Sequence, residues 1–153
     1  MGAMMREDVL QALRATSFYH CVLLIHPEVA RLRQAAAGLA KSEGWPELNV
    51  GQAVAADILA IPFSQRTLAA QRTFAAAAAA HAPGPLLCVE IDLLFDPALS
   101  LDPLALLREA SRQTALIVAW PGVWQGDVLS YAAPEHAHYR TWRSPEVQIC
   151  PLA

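Results

Sequence analysis

The apolar run Phe18-Tyr-His-Cys-Val-Leu-Leu-Ile25 breaks off at His26-Pro27, and Glu28-Val-Ala-Arg31-Leu32-Arg33 follows with two cations. In α/β proteins ligands bind beyond the carboxyl ends of strands, so this turn is the first place to look for chemistry. A phosphate-binding loop, G-x-x-x-x-G-K-S/T, wraps a nucleotide's phosphates with backbone N–H groups. Its lysine neutralises them and its hydroxyl holds magnesium. Here the glycine positions hold His26 and Arg31, the lysine position Leu32 and the hydroxyl position Arg33, while Pro27 removes a further donor. Each missing charge-assisted hydrogen bond is worth about 1.5–3 kcal/mol. Several are missing together, so tight magnesium–nucleotide binding is not expected. Lys41-Ser42 cannot stand in, because it lies about four helical turns further on and lacks the glycines. Arg31 and Arg33 have two readings: an anion held beside a helix N-terminus, or, more plainly, solvated helix charges.

A second place for chemistry is Leu86-Leu-Cys-Val-Glu90-Ile-Asp92, where an apolar run ends in acids. Glu90 and Asp92 stand where a magnesium-holding carboxylate would be sought, but many strands leave a sheet at a carboxylate for structural reasons alone. His136-Ala-His138 with Glu135 is a poor metal set, since residues two apart on a helix point in different directions. Cys21, Cys88 and Cys150 fall in three separate apolar runs with no C-x-x-C spacing and no neighbouring base, which suits free buried thiols in a reducing compartment. Trp120, Trp124, Tyr131, Tyr139 and Trp142 place five of the chain's eleven aromatics within 23 residues. Charges in that segment cancel, Asp127 and Glu135 against Arg140 and Arg143, so a nucleic-acid stacking platform fits poorly. Core packing is the plainer reading, and an interface rich in Trp, Tyr and Arg is the functional one.

The elements that must position these residues follow from periodicity and punctuation. Helices are expected over Met5–Thr16, Glu28–Ser42, Val54–Ile61, Ser64–His81 (the longest, with Ser64 as cap), Leu104–Arg112 (capped by Asp102) and Pro134–Arg140. Strands are expected over Phe18–Ile25, Glu47–Val50, Leu86–Ile91, Ala115–Trp120 (ended by Pro121-Gly122), Val128–Tyr131 at an edge, and Glu146–Cys150. Trp124 is expected in a turn, with Cys21, Val89 and Val118 buried on central strands. Six residues turn a helix by about 240°. The copies Gln65-Arg-Thr-Leu-Ala-Ala70 and Gln71-Arg-Thr-Phe-Ala-Ala76 therefore do not share a face. Alternating strands and helices call for a mainly parallel sheet covered on both faces.

Composition narrows the class. Of 153 residues 55% are hydrophobic and 16% charged, which excludes disorder. No apolar run approaches the roughly 18 residues of a membrane span, and no secretory leader opens the chain. Met1-Gly-Ala-Met4 reads as a cloning remnant, leaving residues 5–153 as one soluble, cytoplasmic domain. Net charge is −3, and ten of the eleven basic residues are arginine. A pI near 5.9 weighs against a broad nucleic-acid footprint while leaving room for a local patch.

Several short motifs recur in order: Ile91-Asp-Leu-Leu-Phe-Asp-Pro97, Leu101-Asp-Pro-Leu104 with Leu107, Ser111-Arg112, Ala119-Trp-Pro-Gly122, Leu129-Ser-Tyr-Ala132 and His136-x-x-Tyr139-Arg140. Over roughly the last 65 residues the chain thereby resembles the BrxF family, the small P-loop-type proteins of BREX anti-phage defence systems. The resemblance implies a three-layer P-loop NTPase-like domain with an AAA-like core, here without a helical lid. It also implies work beside a large ATPase, a DNA methyltransferase and a phosphatase-like protein. The degenerate loop departs from that family's pattern. The expectation is therefore a non-catalytic subunit with no cofactor, no metal and no catalytic residue, acting in assembly or regulation through other defence proteins or self-association. Two alternatives are a weak nucleotide-binding ATPase subunit and a DNA-contacting adaptor using Arg31, Arg33, Arg66 and Arg72.

Overall fold

The structure, a computed structural model, describes residues 2–15 and 18–153. The first half runs α1 (Gly2–Ala15), β1 (Cys21–His26), α2 (Val29–Glu43), β2 (Glu47–Asn49), α3 (Val50–Ile58) and α4 (Arg66–Ala79). The second runs β3 (Leu86–Val89), α5 (Pro103–Ala110), β4 (Leu116–Gln125), β5 (Val128–Tyr131), β6 (Arg140–Arg143) and β7 (Gln148–Pro151). Short 3-10 turns occupy Phe63–Gln65, Asp92–Phe95 and Pro97–Leu99.

Five strands run parallel in the spatial order β2-β3-β4-β1-β7. The first five residues of β1 are all buried, as a strand covered on both faces must be. Side chains alternate between two cores. Val22, Leu24, Ile117 and Ala119 pack with Val9 of α1 and Leu32, Ala36 and Leu39 of α2. Cys21, Leu23, Ile25, Val118 and Trp120 pack on the opposite face with α3, α4 and α5. This is an α/β fold with a mostly parallel central sheet and helices on both sides. No helix among the described residues is long and apolar enough to cross a membrane.

Local chemistry sets the element ends. Gly44 closes α2 in the left-handed region, at φ 69°. Asp102 caps α5 as expected, accepting from Ala105 N at 3.2 Å. Helix α4 buries Ala70, Phe74 and Ala78 on one stripe while Leu68 stays exposed, so the two six-residue copies do lie on different faces.

Other expectations are corrected. Ser64 is not a helix cap: it lies in a 3-10 turn, Gln65 precedes α4 without a side-chain cap, and α2 is the longer helix. Helix α1 begins at Gly2 rather than at Met5, and Thr16 lies outside the described residues. Helix α3 begins four residues early, at Val50, because Asn49 caps it by accepting from Gln52 N. Val89 is only partly buried. Strand β4 does not stop at Pro121-Gly122 but runs to Gln125. Pro121 is tolerated because its missing N–H falls where the ladder changes partner: β1 ends opposite it at His26, and β5 takes over from Gly122. Strand β5 is therefore no edge but the middle of an antiparallel β4-β5-β6 ribbon. Residues Pro134–Arg140 form turns rather than a helix, closed by His136 N to Ala133 O and Tyr139 N to His136 O, and Arg140 enters β6.

Candidate functional site

Strands β1 and β4 lie side by side, and their onward connections leave toward opposite edges. The chain after β1 crosses to β2, and the chain after β4 reaches β7. That reversal marks the crevice where open α/β sheets take ligands.

On the β1 side, the turn that follows the strand is tied up by its own groups. His26 Nδ1 accepts from Glu28 N at 2.9 Å, which uses a donor that would otherwise point at an anion. Arg31 pairs with Glu28 at 3.7 Å and donates to the Ala153 carbonyl. Leu32, at the lysine position, is 3% exposed and packs into the core beneath α2, so the side chain there points away from the crevice. Arg33 reaches across to β3: its Nη2 lies 2.6 Å and its Nε 2.8 Å from Glu90 Oε1. Glu90 holds the left-handed conformation, φ 56°, while its carbonyl accepts from Gly51 N at 2.9 Å. That conformation is uncommon for a residue with a side chain and marks a locally over-determined position. Lys41 and Ser42 sit in the last turns of α2, at the far end from this crevice.

On the β4 side stands an aromatic block. Tyr131 stacks on Phe95 with centroids 3.6 Å apart, and Trp120 and Trp142 pack edge-on to Phe95 at 5.1 and 6.0 Å. The Tyr131 O–H donates to Asp92 Oδ1 at 2.6 Å; burial, and then Asp92, push the phenol's pKa above its ordinary value. Trp120 Nε1 donates to Ser130 O at 2.9 Å. Arg140 donates to Leu101 O at 2.9 Å, with its guanidinium 5.1 Å over the Trp142 ring.

The expected interface group is thereby divided. Trp120 (0% exposed) and Tyr131 (2%) are core residues and present no surface to a partner. Trp142 is partly buried in the same block. Trp124 is not in a turn but pairs with Leu129 in the β4-β5 ladder and packs partly buried on the core. Tyr139, 37% exposed, remains accessible. Phe95, at the centre of the block, was not singled out from sequence; the signal was the apolar Leu93-Leu94-Phe95 set between Asp92 and Asp96.

A cleft of about 560 Å³ opens here, lined by Pro27 and Val29 after β1, Asp92 after β3, and residues of β4, β5 and the β5–β6 connection. A larger groove of about 670 Å³ lies elsewhere, between α1, α2 and the residues around β7, with the Arg6–Glu43 ion pair at its edge. His136 Nδ1 accepts from His138 N at 2.9 Å, and no group of three His, Cys, Asp or Glu side chains among the described residues could hold a metal. The cysteines are free and buried; burial pushes the Cys21 thiol up to about 12 and Cys150 to about 11, the reverse of an activated nucleophile.

Comparison with protein-family models, with curated proteins and with solved structures finds no match to this chain.

Proposed function

We propose that this chain is a P-loop-like domain with an AAA-like core whose nucleotide site is closed by its own side chains. In this reading it is a cytoplasmic assembly or regulatory subunit, of the kind the BrxF resemblance implies for BREX-type phage defence, and it works through protein contacts. The observation that carries the closed site is the Arg33–Glu90 pair, 2.6 Å at its shortest. In phosphate-binding loops a hydroxyl on the helix and an acid on the strand hold magnesium between them. Here a guanidinium fills that gap, and a cation fixed on the protein leaves the carboxylate little call for a metal ion. Beside it, Leu32 supplies no charge and His26 occupies a backbone donor.

Three of the four arginines offered for DNA contact are engaged within the domain: Arg31 by Glu28, Arg33 by Glu90, and Arg66 by Ile61 O at 3.3 Å, which leaves Arg72 alone on α4 as too small a patch for the adaptor reading.

The test is a melt with and without magnesium-ATP. A ligand at a hundredfold excess over its Kd stabilises by about 2.7 kcal/mol, several degrees for a domain of this size. The expected result is no saturable shift at millimolar nucleotide; a saturable shift overturns the closed site.

A further inference from the structure

The cleft beside the β4-β5-β6 ribbon has a distinctive polarity. Its rim carries Val29 (44% exposed), Val123 (41%) and Tyr139 (37%), three of the eight large hydrophobic side chains left exposed among the described residues. No lysine or arginine lines it, and Asp92 is its one carboxylate. Asp92 makes no ion pair among the described residues, in contrast to Glu90, which Arg33 neutralises. Its Oδ1 is held by the Tyr131 O–H at 2.6 Å, so the carboxylate is oriented before anything binds. The rings of Tyr131 and His136 meet edge to face at 5.8 Å within the same lining, and Tyr139 adds a third.

An apolar rim, the exposed rings of His136 and Tyr139 and a single pre-oriented anion are complementary to one kind of side chain. Arginine is weakly hydrated, stacks its planar guanidinium on aromatic rings and takes a carboxylate through paired donors, whereas the lysine ammonium is a strongly hydrated point charge. Arginine is also enriched at protein interfaces, where it acts as an anchor. We infer that this cleft docks an arginine side chain presented by a partner protein on an apolar segment. The inference rests on the proposal that the domain works through protein contacts, and it supplies the chemistry of the contact. It is independent of the nucleotide test, because Arg33 and Glu90 are not among the residues lining the cleft.

The probe is the blocked tripeptide acetyl-Val-Arg-Val-amide, titrated into isotope-labelled full chain and followed by amide chemical shifts, with acetyl-Val-Glu-Val-amide as control. The arginine peptide should give saturable shifts confined to Val29, Asp92, Val123, Ser130 and Tyr139, and the glutamate peptide none. Asp92→Asn keeps a carbonyl to accept the Tyr131 O–H but removes the charge, and should weaken binding about tenfold, as loss of one charge-assisted contact does. Tyr139→Ala, at an exposed position, should weaken it without altering the melt. Equal shifts from both peptides, no saturable shift from the arginine peptide, or unchanged affinity in Asp92→Asn would each overturn the inference and leave the closed nucleotide site standing.

Discussion

A Cβ added at Gly122 would stand 1.8 Å from the Ser130 carbonyl oxygen and 3.0 Å from Trp120 Nε1, inside the hydrogen bond those two groups share. Neither neighbour can yield cheaply: one is backbone of the paired strand, the other a fully buried ring. Gly122→Ala should therefore cost at least the upper part of the 1–3 kcal/mol range for overpacking, about 3 kcal/mol. Urea denaturation reads this directly, and a loss under about 1 kcal/mol would show that the ribbon is not so closely docked. Gly126→Ala, with nothing within 4 Å of its Cβ but φ 50°, isolates backbone strain from collision. At this scale the sequence was informative about what is missing and silent about what replaces it. That the turn after β1 lacks the glycines, lysine and hydroxyl of a phosphate-binding loop could be read along the chain. That Arg33 answers Glu90 could not, because the two are 57 residues apart and meet only when β1 and β3 flank β4 in register.

Among the elements, the parallel strands and their helices were the legible part, since each is an apolar run or a 3.6-residue pattern bounded by Gly, Pro or a capping Asp. The antiparallel ribbon was not. Arg140-Thr-Trp-Arg143 has two charges in four residues and no period of its own. It becomes a strand because Trp142 finds Phe95 and Trp120, an instance of tertiary packing overriding local preference. The same pull unwinds the helical pattern of Pro134–Arg140. Phe95 is the pivot, 1% exposed and in ring contact with Trp120, Tyr131 and Trp142. Phe95→Ala should lose about 3–5 kcal/mol, the usual range for emptying a buried aromatic site, and the near-ultraviolet circular dichroism of the tryptophans should weaken with it. Leu59→Ala, at 72% exposure, is the matched control and should stay within about 0.5 kcal/mol. Equal effects from the two would mean that the ribbon does not depend on the aromatic block.

At the scale of the whole molecule, the sheet separates two cores, and the three thiols report on both. Cys21 and Cys88 lie on the α3–α5 side and Cys150 on the α1–α2 side, all buried. Burial lifts the Cys21 thiol from 9.0 to about 12 and Cys150 to about 11, and raises Cys88 as well. A folded pKa above the unfolded one means stability that is complete below the unfolded value and lost as pH rises toward the folded value. From about pH 9 the unfolded chain sheds thiol protons that the native chain keeps, so each buried thiol lowers stability by about 1.4 kcal/mol per pH unit. The raised Tyr131 phenol adds to the same loss once pH passes its ordinary value of 10.0. Stability should thus be level from pH 6 to 8 and fall steeply above 9. A thiol reagent at pH 7.5 should label Cys21 and Cys88, both 0% exposed, only through global unfolding, with labelling and unfolding rates changing in parallel as urea is added. Level stability to pH 10.5, or labelling of Cys21 or Cys88 in the native protein at the rate of a free thiol, would show that the core on the α3–α5 side is open to solvent.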